Sequence, residues 1–185
     1  MRRRAEVLEI AVLGLLHQAP LHGYELRKRI NLVLGSFHAL SFGSLYPALK
    51  DMELRALIEA RDAGPLAGPA LAGRRGRIVY TLTPLGEDHL QAQLDSAGPD
   101  AWEDERFSVH LTFFGRVDAA TRLRVLEGRR ARLQERLAKV QASIDAASRQ
   151  QVDRYGMAVQ QHGLDQVRSE VQWVEHLIRT EREGS

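Results

Sequence analysis

The fold is decided by the stretch Ser41-Phe42-Gly43-Ser44-Leu45-Tyr46-Pro47-Ala48-Leu49-Lys50. It has the features of a helix start, because a serine oxygen can accept hydrogen bonds from the free amides of a first turn. Pro47 favours a start at Ser44, since proline loses no hydrogen bond in the first turn of a helix. A start at Ser41 would require a kink at Pro47, and this stretch leaves both starts open.

The two faces of this helix differ in chemistry. Apolar residues at helical spacing form the predicted inward face: Leu45, Leu49, Met52 and Leu57. Polar or small residues are left for the outward face: Ser44, Tyr46, Ala48 and Lys50. Such an outward face suits the major groove of DNA, where the first turn of a helix approaches phosphates and base edges. An ordinary amphipathic helix explains the pattern equally well, so the rest of the chain must decide between the two.

Two helices are predicted before this stretch. Residues 5–18 carry a broad apolar stripe, which Pro20 ends. The second helix opens at residues 21–26 and carries a basic cluster at residues 27–29. A short connection at residues 35–40 then leads to the third helix. Helix, helix, short connection and helix is the order of a helix-turn-helix.

A two-stranded wing is predicted after the third helix. Residues 57–61 and 77–82 have the composition and alternation of strands. Residues 64–76, between them, are rich in glycine and proline and end in arginines, as expected for a basic hairpin tip. Thr83 is predicted to cap the following helix, with Pro84 at its first position.

The chain then breaks at Gly98-Pro99-Asp100. This break predicts a winged helix-turn-helix domain at residues 1–98 and a helical region at residues 99–185. The aromatic residues between positions 102 and 114 are predicted to lie in one helix. The predicted fold is therefore mainly α, with a small wing and a coiled-coil-like C-terminal region.

A heptad seam runs along the next predicted helix, which begins at Asp118 or Thr121. Its apolar residues alternate spacings of three and four, with one misfit at Arg130. Tyr155-Gly156 and His162-Gly163 are predicted to punctuate the chain before the last helix. So long an apolar seam predicts a homodimer through the C-terminal helices. The predicted interface residues are Leu123, Leu126, Leu133, Leu137, Val140, Ile144, Val171 and Val174.

Composition narrows the classes of protein. The 185 residues are enough for one domain with a core and an appendage, and they include no cysteine, which excludes disulfides and thiolate metal sites. No apolar run is long enough to span a bilayer, and Glu9 interrupts the apolar segment that follows Arg2-Arg3-Arg4, so we expect neither a membrane partner nor a signal peptide. A cytoplasmic location is the resulting expectation.

The net charge of +2 conceals an uneven distribution of charge. Residues 1–86 hold 12 Lys and Arg against 7 Asp and Glu, and residues 87–105 hold none against 7. Residues 106–185 hold 14 against 10. The part with helix-turn-helix order is thus basic, which by itself weakly favours a nucleic-acid partner.

Five short blocks follow one another between residues 13 and 86: Leu13-Gly14-Leu15-Leu16, Pro20-Leu21-His22-Gly23-Tyr24-Glu25-Leu26, Gly43-Ser44-Leu45-Tyr46-Pro47-Ala48-Leu49, Leu57-Ile58-Glu59 and Tyr80-Thr81-Leu82-Thr83-Pro84-Leu85-Gly86. Their content and order resemble the PadR family of bacterial transcriptional regulators. The resemblance implies a dimeric repressor that occludes promoter DNA and is released by a small molecule or another signal. The segment from Ala63 to Gly76 is longer than the family's usual wing, and residues 117–182 resemble the family only in their helical pattern.

Eight residues are the candidate contacts to double-stranded DNA: Arg27, Lys28, Ser44, Tyr46, Lys50, Arg74, Arg75 and Arg77. Hydroxyl groups and lysine on the third helix can reach phosphates or bases, and the second helix of such folds crosses the backbone. Arginines beside glycines on a wing can follow a narrow groove. The structural alternatives are an anchor between helices for Tyr46, a solvated side chain for Lys50 and a solubilising loop tip for the wing arginines.

Aromatic residues of the C-terminal half are the candidate lining of a small-molecule effector pocket: Trp102, Phe107, Phe114 and Trp173. At helical spacing, plain core is the commoner role of such residues. The histidines lack a metal-ligand pattern, and the acidic run Glu103-Asp104-Glu105 has no neighbouring nucleophile. We therefore expect no catalytic residues, no metal site, no cofactor and no enzyme activity.

Two classes of function remain. The first is a DNA-binding regulator that recognises a pseudo-palindromic promoter site as a dimer. The second is a dimeric helical adaptor that uses its winged helix for protein contact. The basic cluster at residues 27–29 and the wing arginines favour the first class.

Overall fold

The computed structural model describes residues 2–34, 42–62, 78–149 and 153–184. Within these ranges none of the helices is both long enough and apolar enough to span a membrane. The elements follow one another as α1 (Arg2–Gln18), β1 (Leu21–His22), α2 (Gly23–Leu34), α3 (Phe42–Leu54), β2 (Ile58–Asp62), β3 (Ile78–Leu82), α4 (Pro84–Asp95), a 3₁₀ helix (Pro99–Trp102), α5 (Asp104–Thr112), a 3₁₀ turn (Phe114–Arg116), α6 (Ala119–Arg149) and α7 (Arg154–Glu183).

The chain forms two compact units. The N-terminal unit comprises Met1–Ser96 and Asp104–Val117, and the C-terminal unit comprises Ala97–Glu103 and Asp118–Ser185. This division differs from the predicted boundary at residue 98, because α5 packs with the N-terminal unit. The single helix predicted over residues 102–114 is likewise divided into a 3₁₀ helix, α5 and a 3₁₀ turn.

The core of the N-terminal unit is built around α1. Its apolar stripe is buried on several sides, as its width predicted. Gly14 is predicted to mark close packing, and the structure agrees: a Cβ at this position would lie 2.2 Å from Cζ of Phe113. Phe113 and Val109 of the α5 segment belong to the same core cluster, which explains why this segment stays with the N-terminal unit.

The third helix takes the earlier of its two starts. It begins at Phe42, so Pro47 lies inside α3 rather than in its first turn. Proline there removes one amide from the helical hydrogen bonds. Burial offsets this loss, since Leu45, Leu49 and Met52 of the inward face are 0–1% exposed.

The wing strands β2 and β3 pair antiparallel, with Ile58 opposite Leu82. A third strand, β1, pairs with β3 at the other edge, so the sheet order is β1-β3-β2. The sequence predicted a helix at β1, and a two-residue strand is too short for a period-2 pattern to appear. Thr83 caps α4 as predicted, with its hydroxyl accepting from the Gly86 amide at 3.0 Å.

The C-terminal unit is an antiparallel helical hairpin of α6 and α7. Arg122 near the start of α6 bonds to Glu181 near the end of α7, and Arg182 bonds to Glu127 at 2.7 Å. Asp118 caps α6, since its carboxylate accepts from the Thr121 amide at 2.7 Å. The following helix is longer than predicted. It begins at Arg154, and both glycines that were predicted to interrupt the chain, Gly156 and Gly163, lie within it.

Candidate nucleic-acid interface

The outward face of α3 carries the first group of candidate DNA contacts. Ser44 and Lys50 are exposed, on the side opposite the buried leucines of the same helix. The exposure of Lys50 makes its ammonium group accessible to a ligand. A hydroxyl and an ammonium group on one helix face can bind phosphate oxygens or a base edge.

Tyr46 lies at the edge of this face and is half-buried. It packs against the core, and a Cβ on Gly23 would lie 3.2 Å from the Tyr46 hydroxyl and 3.5 Å from the Tyr80 ring. Burial, together with the neighbouring Tyr46 and Glu53, raises the pKa of Tyr80. Tyr46 therefore joins α3 to α2 and β3, as the structural alternative predicted, and contact of its hydroxyl with DNA stays a prediction.

The basic cluster of α2 is only partly accessible. Lys28 is exposed and Arg27 is half-buried. Arg29 bonds to Glu25 one turn earlier, at 3.1 Å. Lys28 is therefore the most accessible charge of the cluster and the best candidate for a phosphate contact from this helix.

The predicted wing contacts Arg74, Arg75 and Arg77 lie outside the described residues. At the described end of the wing, Arg61 of β2 is exposed and bonds to Glu59 at 2.8 Å. Whether the wing binds DNA stays a prediction from the sequence.

A polar cluster behind α3 was missed from the sequence. Arg55, directly after α3, holds the Glu9 carboxylate of α1 with both terminal nitrogens, at 2.5 and 3.2 Å. His89 Nε2 and Gln93 Nε2 of α4 approach the same carboxylate at 2.7 and 3.0 Å. Burial alone would raise the pKa of Glu9, but hydrogen bonds and charges from Arg55 and His89 hold it below its ordinary value. Residues so distant in sequence leave no local pattern, and no signal in the chain would have grouped them.

A second cluster links α1 and α4 at another point. Glu87 binds His17 at 2.7 Å and also binds Arg116. Burial would raise the pKa of Glu87, and its bonds to Arg116 and His17 lower it overall. Each of the two glutamates, Glu9 and Glu87, is thus shared by one arginine and one histidine.

The four aromatic residues of the predicted effector pocket are divided between the units. Phe107 is buried and Phe114 is half-buried in the N-terminal unit. Trp102 and Trp173 belong to the C-terminal unit, where Trp173 is 44% exposed. The Trp102 ring lies on the backbone of Gly128. The backbone carbonyl of Trp102 accepts a hydrogen bond from the Arg129 guanidinium at 2.7 Å. No group of three or more potential metal ligands occurs in the described part of the chain.

The predicted dimer residues differ in how far the single chain already buries them. Within the hairpin, Leu126 and Leu133 are each 1% exposed. The other buried positions are Ile144, Val171 and Val174, and the half-buried ones are Leu123, Leu137 and Val140. Much of the heptad seam is therefore used to pack α7 on α6. Arg129 of α6 is buried and paired with Glu170, whereas Arg130, the predicted misfit in the seam, is half-buried.

A helix-turn-helix followed by a two-stranded wing, with exposed polar and basic residues on its third helix, defines the class of winged-helix transcriptional regulators. The Transcriptional regulator PadR-like family matches residues 12–92, from α1 to α4. The family described as Virulence activator alpha C-term matches residues 105–180, from α5 to α7. Residues 12–92 therefore form a PadR-like domain.

A curated relative has similar length. The Negative transcriptional regulator PadR of Bacillus subtilis (strain 168) is 27% identical over 180 residues, which cover 93% of this chain and 96% of that protein. Two solved structures are also similar. The Bacillus subtilis PadR complex with operator DNA has a TM-score of 0.44 at 21% identity, covering 95% of this chain and 99% of that one. The PadR-like regulator BC1756 of Bacillus cereus has a TM-score of 0.41 at 16% identity, covering 96% and 99%.

Proposed function

We propose that the protein is a repressor that binds a pseudo-palindromic promoter site as a homodimer. A small molecule or another signal releases it from this site. The observation that carries the proposal is the exposure of Ser44 and Lys50 on α3, within a PadR-like domain whose opposite α3 face is buried. The Bacillus subtilis relative is a negative regulator, which supports repression as the direction of control.

DNA contact would use three parts of the N-terminal unit. The first turns of α3 enter the major groove, with Ser44 on a phosphate and Lys50 on a base edge or phosphate. Lys28 on α2 meets the backbone, and Arg27 adds charge beside it. The wing arginines Arg74, Arg75 and Arg77 bind phosphates or the minor groove.

Dimerisation would use what the hairpin leaves uncovered. Leu137 and Val140 of α6 are half-buried in the single chain, and Tyr155 and Val159 of α7 are exposed. A two-fold dimer would place two copies of α3 in major grooves about 34–36 Å apart, which sets the half-site spacing.

Release by a small molecule would involve the aromatic residues of the C-terminal half. Trp173 is the most accessible of the four predicted pocket residues, so it is the first to substitute in a test for effector binding. A regulator of this kind acts on chromosomal DNA, and we expect it in the cytoplasm. As a regulator it needs no catalytic centre, and we propose that it is not an enzyme.

The test is a mobility-shift assay on the DNA upstream of the protein's own coding sequence, followed by footprinting. We expect protection of two half-sites and preference over a scrambled duplex by about a thousandfold or more at moderate salt. Equal affinity for scrambled DNA, or a single asymmetric half-site, would contradict the proposal. Absence of DNA binding would favour the adaptor function.

A further inference from the structure

Arg55 connects the end of α3 to α1. Its backbone amide still bonds to the carbonyl of Asp51 at 3.0 Å, so it closes the last turn of the helix. Its guanidinium holds both oxygens of Glu9. A bidentate arginine–carboxylate pair restricts orientation as well as distance, because the planar fork matches the carboxylate. The C-terminal end of α3 is therefore held in a defined position on α1.

The partner of Arg55 is itself rigidly placed. The Glu9 side chain is only 14% exposed, and a carboxylate so far buried must be paired to be tolerated. His89 and Gln93 fix it from α4. The position of α3 is thus fixed relative to two other helices of the unit, α1 and α4.

Arg55 also acts on the exposed side of α3. Its Nη1 lies 3.2 Å from the carboxylate of Asp51, whose side chain is 63% exposed and follows Lys50 in the chain. A bare carboxylate beside a phosphate-binding lysine would repel DNA. The guanidinium of Arg55 offsets the negative charge of Asp51 and does not block Lys50.

We propose that Arg55 and Glu9 are positioning residues for DNA recognition. The pair fixes where the C-terminal half of α3 lies, and hence how Lys50 meets the groove. This inference rests on the proposed function. It differs from a merely structural role because it predicts lost discrimination between DNA sequences, beyond any loss of stability.

The second cluster supplies a matched control. Glu87 is also shared by one arginine and one histidine in the same unit, and its described partners, Arg116 and His17, lie outside α3. Glu9→Gln and Glu87→Gln make the same isosteric change. The measurements are affinity for the footprinted upstream site and for a scrambled duplex, urea unfolding, and amide hydrogen exchange of residues 51–55 in the free protein.

We expect both variants to lose stability. Only Glu9→Gln should lower the ratio of affinity for the specific site to affinity for the scrambled duplex. The expected fall is about tenfold, which is roughly the contribution of one base contact. The amides of Glu9→Gln at residues 51–55 should also exchange faster. Arg55→Lys keeps the positive charge but loses the planar guanidinium that binds both carboxylate oxygens, so it should also lower this ratio. It replaces Glu9→Gln in the test if that variant does not fold. An unchanged ratio in Glu9→Gln, or an equal fall in Glu87→Gln, would overturn the inference.

The proposed function can fail separately. If the wild-type protein binds no DNA, the role in recognition falls with it, while hydrogen exchange still shows whether the pair fixes the end of α3. If the wild type discriminates and the Glu9 and Arg55 variants discriminate equally well, only the positioning role is wrong.

Discussion

At the scale of single residues, two glycines in long helices have opposite surroundings. A Cβ on Gly128 of α6 would lie 2.0 Å from Cε2 of Trp102, whereas nothing lies within 4 Å of a Cβ on Gly163 of α7. Gly128→Ala should therefore destabilise the C-terminal unit by about 1–3 kcal/mol through overpacking. Gly163→Ala should stabilise it by up to about 1 kcal/mol, since alanine favours a helix over glycine.

The measurement for this pair is urea unfolding followed by tryptophan fluorescence. Both tryptophans of the chain, Trp102 and Trp173, belong to the C-terminal unit, so the signal reports this unit. The two variants serve as each other's control, because the chemical change is the same. A stabilised Gly128→Ala protein would show that the Trp102 ring does not need the glycine.

A buried histidine predicts a dependence of stability on pH. His110 in α5 is 4% exposed, and burial, with a contribution from Arg106, lowers its pKa to about 4. Between its ordinary pKa and this value, the unfolded chain takes up a proton that the folded protein excludes. Stability should therefore be full above about pH 6.5 and fall towards pH 4, by on the order of 3 kcal/mol.

Urea unfolding at several pH values checks this prediction. His110→Gln should flatten the dependence over that window relative to the wild type. His176→Gln, at an exposed position of α7, is the matched control and should leave the slope unchanged. If stability depended on pH equally steeply in His110→Gln and in the wild type, another group would cause the loss of stability at low pH.

At the scale of elements, α3 and the wing should contribute differently to binding. Replacing Arg74, Arg75 and Arg77 by alanine should weaken binding to all sequences alike, because phosphate contacts carry no sequence information. The slope of log K against log salt should flatten by about 0.9 for each phosphate that the variant no longer neutralises. A salt titration on specific and scrambled DNA measures this, and an unchanged slope would mean that the wing does not touch DNA.

Lys50→Ala should instead change preference between operator variants. If Lys50 binds a base edge, we expect an effect of roughly 1–3 kcal/mol at one position of the site. Affinity for a panel of single-base variants measures the effect, and circular dichroism verifies folding. A uniform loss across the panel would assign Lys50 to the backbone.

At the scale of the whole molecule, the heptad seam serves the hairpin first and the dimer with what remains. Leu133 is buried within one chain, whereas Leu137, one turn on, is half-buried. Leu133→Asp should unfold the C-terminal unit, since burying a charge costs several kcal/mol. Leu137→Asp should keep its helical circular dichroism and lose the dimer in light scattering. A fully dimeric Leu137→Asp protein would exclude this position from the interface.

The order of elements in the N-terminal unit could be predicted from the sequence because its signals are local. Helical spacing identified Leu45, Leu49 and Met52 as the buried face of α3, and each is at most 1% exposed. The cap at Thr83 could be predicted because it joins residues only three positions apart in the chain. Glycine was a weaker guide, since Gly156 and Gly163 lie inside α7, where packing of the hairpin outweighs their low helix propensity.

The sequence by itself determined the helix-turn-helix order, the wing strands and the exposure of Ser44 and Lys50 on α3, because each rests on periodicity or capping within a few residues. Only the tertiary structure decided which side chains meet across the fold. Arg55 joins Glu9 from 46 positions away, and Gly14 receives the ring of Phe113. It also decided that α5 packs with the N-terminal unit, since burial is settled by the neighbours that the completed fold provides.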